Sequence, residues 1–234
     1  MKKKMTKHHL ISENLSSRVA EAYRVLRTNI QFASLDKPVK SILLTSSAPS
    51  EGKSTTAANL AIAFAQTGSR VLLIDADLRR PAQHKIFGLS NQLGLSSLLV
   101  QSVATEVVLR AVSVPTLRVI TSGPIPPNPA EMLGSTRMRD TLRNLSISFD
   151  YIVIDTAPTL AVTDSAILGS MVDGVILVVS TGEVSADKIQ RAKAQLDGVK
   201  ANLLGVVLNG LEHDPQEDYY YYYYGPRQGA AAKA

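Results

Sequence analysis

The sequence predicts an α/β fold in which helices cover both faces of a doubly wound, mostly parallel β-sheet. Short runs rich in Val, Ile and Leu recur along the chain and are apolar on both faces, as buried parallel strands are. Helical patterns that end at glycine lie between these runs. At 234 residues and 45% apolar composition, the chain is long enough to form one substantial core.

The first predicted element is an amphipathic helix over residues 16–32. Its apolar residues, from Val19 to Ile30, recur at helical spacing and form one stripe. Glu21 and Arg24 lie on the flank of this stripe, three residues apart, where they can form a surface ion pair.

The predicted strands and longer helices alternate after this first helix. Because strands that alternate with helices in this way form parallel sheets, the pattern predicts a wound α/β domain. The helices are KSTTAANLAIAFAQTG (53–68) and SADKIQRAKAQLDG (185–198). The strands are SILLTS (41–46), RVLLIDAD (70–77), LRVITSG (117–123), DYIVIDTAP (150–158), GVILVVS (174–180) and LLGVVLN (203–209).

Composition and charge exclude several kinds of protein. The chain has no cysteine, so disulfides and cysteine-ligated zinc are excluded, and a reducing cytoplasm is the expected location. No apolar run approaches the roughly 18 residues of a membrane span. The net charge is +5, and the lysines at positions 2, 3, 4 and 7 predict a basic, solvated leader over residues 1–14. Contact of this leader with an anionic membrane or a nucleic acid is the alternative.

A phosphate-binding loop is predicted at SSAPSEGKST, residues 46–55, between a strand and a helix. Gly52, Lys53 and Ser54 form the G-K-S end of a Walker A loop, although Ser47 replaces its usual first glycine. Such a loop wraps phosphates with its backbone N–H groups, while the lysine reaches the β and γ oxygens. The predicted nucleotide-binding residues are Ala48, Pro49, Ser50, Glu51, Gly52, Lys53, Ser54 and Thr55.

Three aspartates at strand ends predict a metal site beside this loop. Asp75 and Asp77 end the second predicted strand, and Asp155 ends the fourth. Because ligands of open α/β sheets bind beyond the C-terminal strand ends, all three should lie at one rim. We expect Ser54, Asp77 and Asp155 to hold Mg²⁺, with Asp155 in the position of a Walker B acid.

The second of these aspartates is also the candidate general base. Transfer of a phosphoryl group to a hydroxyl benefits from a carboxylate that accepts the proton. Asp77 is assigned this role and Asp75 shapes the metal shell, although the two roles could be exchanged. Lys53 and Asp155 complete the predicted catalytic set. Arg79 or Arg80 could neutralise charge on the transferred group, and a surface role is the alternative.

The segment EDYYYYYYGP, residues 217–226, collects most of the chain's phenols. Acidic, proline-containing sequence precedes it, and small, polar sequence follows it, so the surroundings are typical of solvated chain. We therefore expect the hydroxyls to be used chemically, and an edge strand is the alternative. Six of the eight tyrosines lie here, namely Tyr219, Tyr220, Tyr221, Tyr222, Tyr223 and Tyr224.

Taken in order, these motifs resemble the bacterial tyrosine kinases of capsule and exopolysaccharide synthesis. The resemblance rests on the phosphate loop, DADLR, TSGPIPPNPAEML (121–133), IDTAP and the terminal tyrosines. It implies a P-loop NTPase of the deviant Walker type, related to the MinD- and ParA-like ATPases, that uses ATP and Mg²⁺ to phosphorylate its own tyrosine cluster. It also implies that Glu21, Arg24 and Arg27 assemble a homo-oligomeric ring, and that Asn209 lies against adenine.

The same resemblance implies partners and a domain plan. The partners are a membrane-anchored activator and chain-length regulator, which acts through its cytosolic tail, a cognate tyrosine phosphatase, and protein substrates of polysaccharide synthesis. No nucleic acid is expected. The kinase would be cytoplasmic and peripheral at the inner face of the cell membrane. The leader (1–14) would precede a kinase domain (15–211), which includes an assembly helix (15–34), and a flexible tail (212–234) would follow it.

Two other functions share parts of this pattern. A MinD- or ParA-like partitioning ATPase uses the same fold, but its loop carries an extra lysine where this chain has Ala48, and its mechanism needs no tyrosine cluster. A non-catalytic, nucleotide-gated scaffold for polymer export is the third hypothesis. Transfer of label from γ-labelled ATP to the tail would separate a kinase from both.

Overall fold

A computed structural model describes residues 10–14, 17–33, 38–100 and 103–211 of the chain. Within these residues there are seven strands and nine helices. The strands are β1 (Ser41–Ser46), β2 (Val71–Asp75), β3 (Arg110–Ala111), β4 (Leu117–Ile120), β5 (Tyr151–Asp155), β6 (Gly174–Ser180) and β7 (Leu203–Asn209). The helices are α1 (Arg18–Phe32), α2 (Lys53–Ala65), α3 (Gln83–Ile86), α4 (Leu95–Val100), α5 (Thr105–Val108), α6 (Pro129–Leu133), α7 (Thr136–Ser148), α8 (Asp164–Gly169) and α9 (Ala186–Gly198).

The strands form one sheet in the order β3-β4-β2-β5-β1-β6-β7. All neighbouring strands are parallel except β3, which pairs antiparallel with β4. The central strands β1, β2 and β5 are buried along almost their whole length, as their continuous apolar runs predicted. The predicted doubly wound, mostly parallel sheet is confirmed.

Helices cover both faces of the sheet. One core lies under α1 and α2 and includes Phe64 of α2 together with Ile42 and Leu73 of the strands. The other lies under α4, α7 and α8 and includes Leu43 and Leu72, which face the opposite way from their neighbours in the same strands. The sheet is thus packed on both faces, and the loops at its C-terminal rim extend from buried strands.

The strand β7 differs from its prediction. Its apolar run predicted burial on both faces, but Val206 and Leu208 are about half exposed, at 49% and 55%. The reason is its place in the sheet, since β7 is the edge strand beyond β6 and has a neighbour on one side only. Its other apolar residues, such as Val207, still pack against the core under α1 and α2.

The expected leader of residues 1–14 also differs at its C-terminal end. Ile11 is buried in the core, and its backbone N–H donates to the Asn59 side chain of α2 at 3.0 Å. Packing therefore extends at least to Leu10, which contacts the same core. Residues 1–9 lie outside the described residues. In the part of the chain that the structure describes, no helix combines the length and the apolar character needed to cross a bilayer.

Candidate active site

The loop between β1 and α2 is braced by its own acidic residue, Glu51. This side chain is buried, and its carboxylate accepts hydrogen bonds from the Ser47 hydroxyl at 2.6 Å and from the backbone N–H of Ala48. Its other oxygen accepts a hydrogen bond from the backbone N–H of Ser180, at the end of β6, at 3.1 Å. Glu51 therefore fixes the shape of the loop from within and ties it to the sheet.

Gly52 closes the loop in a conformation that only glycine adopts without strain. Its φ is +87°, and an added Cβ would lie 2.1 Å from Nδ2 of Asn209. That amide donates to the Glu51 carbonyl at 3.0 Å, so the end of β7 touches the loop. Ser50, with a φ of +70°, also adopts the left-handed conformation, which costs a non-glycine residue about 1–2 kcal/mol.

The helix α2 begins directly after this turn, at Lys53. The N–H groups of its first turn have no partner within the helix, and they carry the positive end of the helix dipole. The first turn contains no acidic residue that would neutralise this end. Ser54 and Thr55 thus lie where a helix start binds phosphate.

The Lys53 ammonium lies at the centre of a polar cluster. Its Nζ is 2.9 Å from Oδ2 of Asp77, 3.2 Å from Oδ1 of Asp155 and 3.1 Å from the Ser54 hydroxyl. Burial disfavours the charged ammonium, but the charges of Asp155 and Asp77 outweigh this effect and raise the pKa of Lys53 above its ordinary value. Lys53 is therefore fully charged at neutral pH and available to an anion.

The two carboxylates are each held by a second group. Oδ1 of Asp77 accepts a hydrogen bond from the backbone N–H of Arg80 at 2.9 Å. Oδ2 of Asp155 accepts one from Nε2 of Gln83 at 2.8 Å. Both carboxylates are buried, so their positions are fixed by these contacts and by Lys53. A cluster of this kind can hold a metal-bound polyphosphate and accept a proton.

The sequence and fold of this chain resemble those of known proteins. Residues 39–205 match the family described as AAA domain. Tyrosine-protein kinase YwqD of Bacillus subtilis (strain 168) is 47% identical over 200 residues, which cover 86% of this chain and 84% of the relative. The chain belongs to the bacterial tyrosine kinases. The predicted kinase activity and the deviant Walker P-loop fold are thereby confirmed, and the partitioning ATPase and the scaffold are not supported.

Two further relatives agree with this membership. The putative tyrosine-protein kinase CapB of Staphylococcus aureus is 37% identical over 219 residues, which cover 93% of this kinase and 96% of the relative. The crystal structure of the chimerical protein CapA2B2 superposes with a TM-score of 0.84 at 40% identity, covering 87% of this kinase and 89% of that chain.

Asp75 forms its hydrogen bonds outside the Lys53 cluster. It is opposite Asp155 in the pairing of β2 with β5 and is fully buried. Its Oδ2 accepts hydrogen bonds from the backbone N–H groups of Ala82 and Gln83, at 3.0 and 2.9 Å. Burial and the nearby charge of Asp155 raise the pKa of Asp75 to about 8. Through these two hydrogen bonds Asp75 braces the start of α3.

Gln83 is a site residue that the sequence did not reveal. It is fully buried on the short helix α3, and its Nε2 donates both to Asp155 and to the Ser54 carbonyl, the latter at 3.0 Å. It thereby connects the start of α2 with the end of β5. In the sequence, Gln83 is marked only by its position six residues after Asp77, and no motif identifies it as a site residue.

Arg79 also has a partner that was not predicted. Its guanidinium forms a two-pronged ion pair with Asp164 at the start of α8, at 2.9 and 3.1 Å. The Asp164 carboxylate is completely buried, whereas 39% of the Arg79 side chain is exposed. The pair anchors the loop after Asp77 and directs the charge of Arg79 toward α8.

The structure brings Lys53, Ser54, Asp77 and Asp155 together and places Asn209 at the loop, but the predicted assembly residues lie elsewhere. On α1, Arg24 pairs with Glu21 at 2.6 Å. Arg27 donates to the carbonyl of Ala63 at 3.0 Å, ten residues after Lys53 in α2 and thus about 15 Å along that helix. The six tail tyrosines lie outside the described residues.

Proposed function

We propose that the kinase transfers the γ-phosphoryl group of ATP to the tyrosines at 219–224, and that this reaction regulates the synthesis, chain length or export of capsular polysaccharide or exopolysaccharide. The observation that carries the proposal is the place where the described chain ends. Asn209 contacts the phosphate loop, and Leu211 follows two residues later. The tail therefore starts at the rim that carries Lys53 and Asp77.

The two remaining tyrosines are poor acceptors because of their positions. Tyr151 stacks on Phe64 with ring centroids 4.1 Å apart, and its hydroxyl accepts a hydrogen bond from Gln31 at 3.1 Å. It begins β5 whereas Asp155 ends it, so the strand separates them by about 13 Å. Tyr23 lies on α1 and packs against the core. These facts favour the tail as acceptor.

The site offers oxygen ligands of the kind that Mg²⁺ prefers. Ser54, Asp77 and Asp155 offer only oxygen donors, and all three contact one ammonium within 3.2 Å, so the cluster already accommodates a cation. We propose that these residues hold Mg²⁺, which when bound neutralises charge on the phosphates of ATP. The residues 48–55 bind the triphosphate, and Asn209 lies beside the adenine.

Asp77 is the proposed general base. The phenolic oxygen attacks the γ phosphorus, the bond to the oxygen that bridges the β and γ phosphates breaks, and ADP leaves. Asp77 accepts the phenolic proton while Lys53 stabilises the charge of the transferred group. Asp75 is the less suitable base because it is fully buried beneath the start of α3, where two backbone N–H groups bond to one of its oxygens.

Mapping phosphate by mass spectrometry tests this proposal. Purified protein incubated with ATP and Mg²⁺ should carry phosphate within residues 219–224, and a variant with Phe at all six positions should bind nucleotide normally but remain unlabelled. Asp77→Asn should also bind nucleotide and lose most labelling. Phosphate on Tyr23 or Tyr151 as the main product would contradict the proposal, as would full labelling of Asp77→Asn.

We also propose the partners that the family membership supports. They are a membrane-anchored activator acting through its cytosolic tail, a tyrosine phosphatase, and protein substrates of polysaccharide synthesis, with the kinase at the inner face of the membrane. Each phosphotyrosine adds about 1.5 to 2 negative charges, so a phosphorylated tail should be repelled by a rim rich in aspartate. Unmodified tails should therefore promote ring assembly and phosphorylated tails should loosen it.

Sedimentation tests the assembly. ATP should dissociate oligomers of the parent but not those of the variant with Phe at residues 219–224; equal dissociation of both would contradict the idea. For the proposed ring contacts, Arg24→Ala should reduce assembly with little change in Tm. Arg27→Ala should lower Tm as well, because Arg27 bonds to Ala63 within the monomer.

A further inference from the structure

A cavity of about 590 Å³ opens beside the loop that follows Asp77. Residues of this loop and of α3 form one side of it, and the segment after β4 forms the other. Arg80 belongs to its wall, and the backbone N–H of the same residue donates to Asp77 at 2.9 Å. The cavity is thus adjacent to the proposed general base. Its wall includes Arg79, Arg80, Pro81, Lys85, Pro124 and Ile125.

The cavity carries positive charge that the described residues do not neutralise. Arg79 is compensated by Asp164, with which it forms its two-pronged ion pair. By contrast, neither Arg80 nor Lys85 has a carboxylate within ion-pair distance among the residues that the structure describes. Both side chains are exposed. The cavity therefore offers two cations to an anionic ligand.

The same wall also offers apolar surface suited to an aromatic ring. Pro81 and Pro124 contribute flat, rigid faces, and 65% of Ile125 is exposed. An arginine beside such surface can also stack on a phenol ring. A ligand that combines carboxylates with tyrosine rings would match both properties of the cavity, and residues 217–224 of this chain have that composition.

We propose that this cavity is the acceptor dock, in which Arg80 and Lys85 bind the acidic pair Glu217 and Asp218 and so present the adjoining tyrosines to Asp77. The assignment rests on the proposed function, because it specifies how the tail is recognised. It makes Arg80 and Lys85 determinants of acceptor specificity. Glu217 and Asp218 directly precede Tyr219. Binding of the acidic pair in the cavity therefore limits how far the first tyrosine can lie from Asp77.

Chain length indicates which copy supplies the segment. Six Cα–Cα steps lead from Leu211 to Glu217, and they span at most about 20 Å. Four strand spacings, about 19 Å in all, separate β7 from β2 in the sheet. The tail would reach the dock of its own subunit only when almost straight, so a second copy of the chain is the expected donor.

Peptide phosphorylation tests the dock. The enzyme is the full chain with Tyr→Phe at positions 219–224, Glu217→Gln and Asp218→Asn, so that its own tail cannot compete. The acceptor is a synthetic peptide of residues 214–226, and incorporation of label from γ-labelled ATP is measured. Removing both cations with Arg80→Gln and Lys85→Gln should raise the KM for the peptide about tenfold, since each exposed ion pair contributes a factor of a few. The kcat and the KM for ATP should change less than twofold.

Two further arms make the test specific. A peptide with Glu217→Gln and Asp218→Asn should show the same tenfold rise with the parent enzyme, and no additional rise with the double variant. Reversing both charges, with Arg80→Glu and Lys85→Glu, should be rescued by a peptide with lysine at 217 and 218. The matched control, Lys188→Gln with Lys193→Gln, removes the same charge from α9 and should leave the peptide KM unchanged.

The outcomes separate the dock from the proposed function. If the wild-type chain labels its tail but the double variant keeps the parent's peptide KM, the dock is refuted and the function stands. A fall in kcat at constant KM also refutes the dock, because Arg80 would then act on the phosphoryl group. If neither the wild-type tail nor the peptide is labelled, both proposals fail.

Discussion

Gln83 is expected to position Asp155, and the substitution Gln83→Leu tests this. The change keeps a similar volume but removes the hydrogen bonds to Asp155 at 2.8 Å and to the Ser54 carbonyl at 3.0 Å. A bond to a charged acceptor contributes about 1.5–3 kcal/mol and a neutral one about 0.5–1.5 kcal/mol. Leucine also removes the buried Oε1, which lacks a partner among the described residues and costs about 1–2 kcal/mol.

The net loss of unfolding free energy should therefore be about 2 kcal/mol. For a chain of this length, that corresponds to a fall in Tm of about 4–8 °C. The effect on activity should be larger, because residues that orient the ligands of a metal typically matter about 10–100-fold. We expect kcat for tail labelling to fall at least tenfold, and the Mg²⁺ concentration for half-maximal labelling to rise.

Thermal unfolding and labelling rates at a series of Mg²⁺ concentrations, measured well below the Tm, check this expectation. The control Gln190→Leu replaces an exposed glutamine on α9 and should change neither quantity. A Gln83→Leu protein with lowered Tm but with the parent's kcat and Mg²⁺ dependence would refute the reasoning, because Gln83 would then be a packing residue only.

Three further predictions concern contacts around the site and at the surface. Arg79→Ala leaves the buried Asp164 carboxylate without its ion-pair partner, but the arginine is 39% exposed, so urea unfolding should show a loss of about 2–3 kcal/mol in unfolding free energy. Combined with Asp164→Asn, the loss should be less than the sum of the two single losses, and an additive loss would contradict the pairing. The bond from Arg70 lowers the pKa of Asp150 to about 2, so its contribution is complete above the unfolded pKa near 4 and is lost as pH falls toward 2. Asp150→Asn should therefore have a lower Tm than the parent at pH 7, and most of this difference should be lost by pH 2, whereas a constant difference would contradict this. Glu51→Gln replaces one carboxylate oxygen with an NH₂ group, which cannot accept a hydrogen bond from the backbone N–H group that it faces. Because this disturbs the loop, the KM for ATP should rise at least threefold, and an unchanged KM would contradict the expectation.

The sequence predicted the central sheet well because its signal is local. A strand buried on both faces needs a continuous apolar run, and β1, β2 and β5 have one. The two-residue strand β3 has no such run, because it is defined by its pairing with β4 and not by its own composition. The burial predicted for β7 was wrong because an apolar run does not encode its position in the strand order, and the edge position exposes Val206 and Leu208.

The residues of the candidate site also fall into two groups. Those in a contiguous motif could be predicted from the sequence, and those brought in by distant contacts could not. Gly52, Lys53 and Ser54 could be found from the sequence because the proposed phosphate site is formed by neighbouring residues of one loop. Gln83 could not, since its partner Asp155 is 72 residues away and only the sheet order brings β2 and β5 side by side. Once those strands are adjacent, a buried carboxylate at the end of β5 needs a donor to balance its desolvation, and Gln83 at the start of α3, the first helix after β2, is close enough to supply one. The residue that orients a proposed catalytic group is thus determined by the fold, whereas the proposed phosphate-binding residues are determined by the motif.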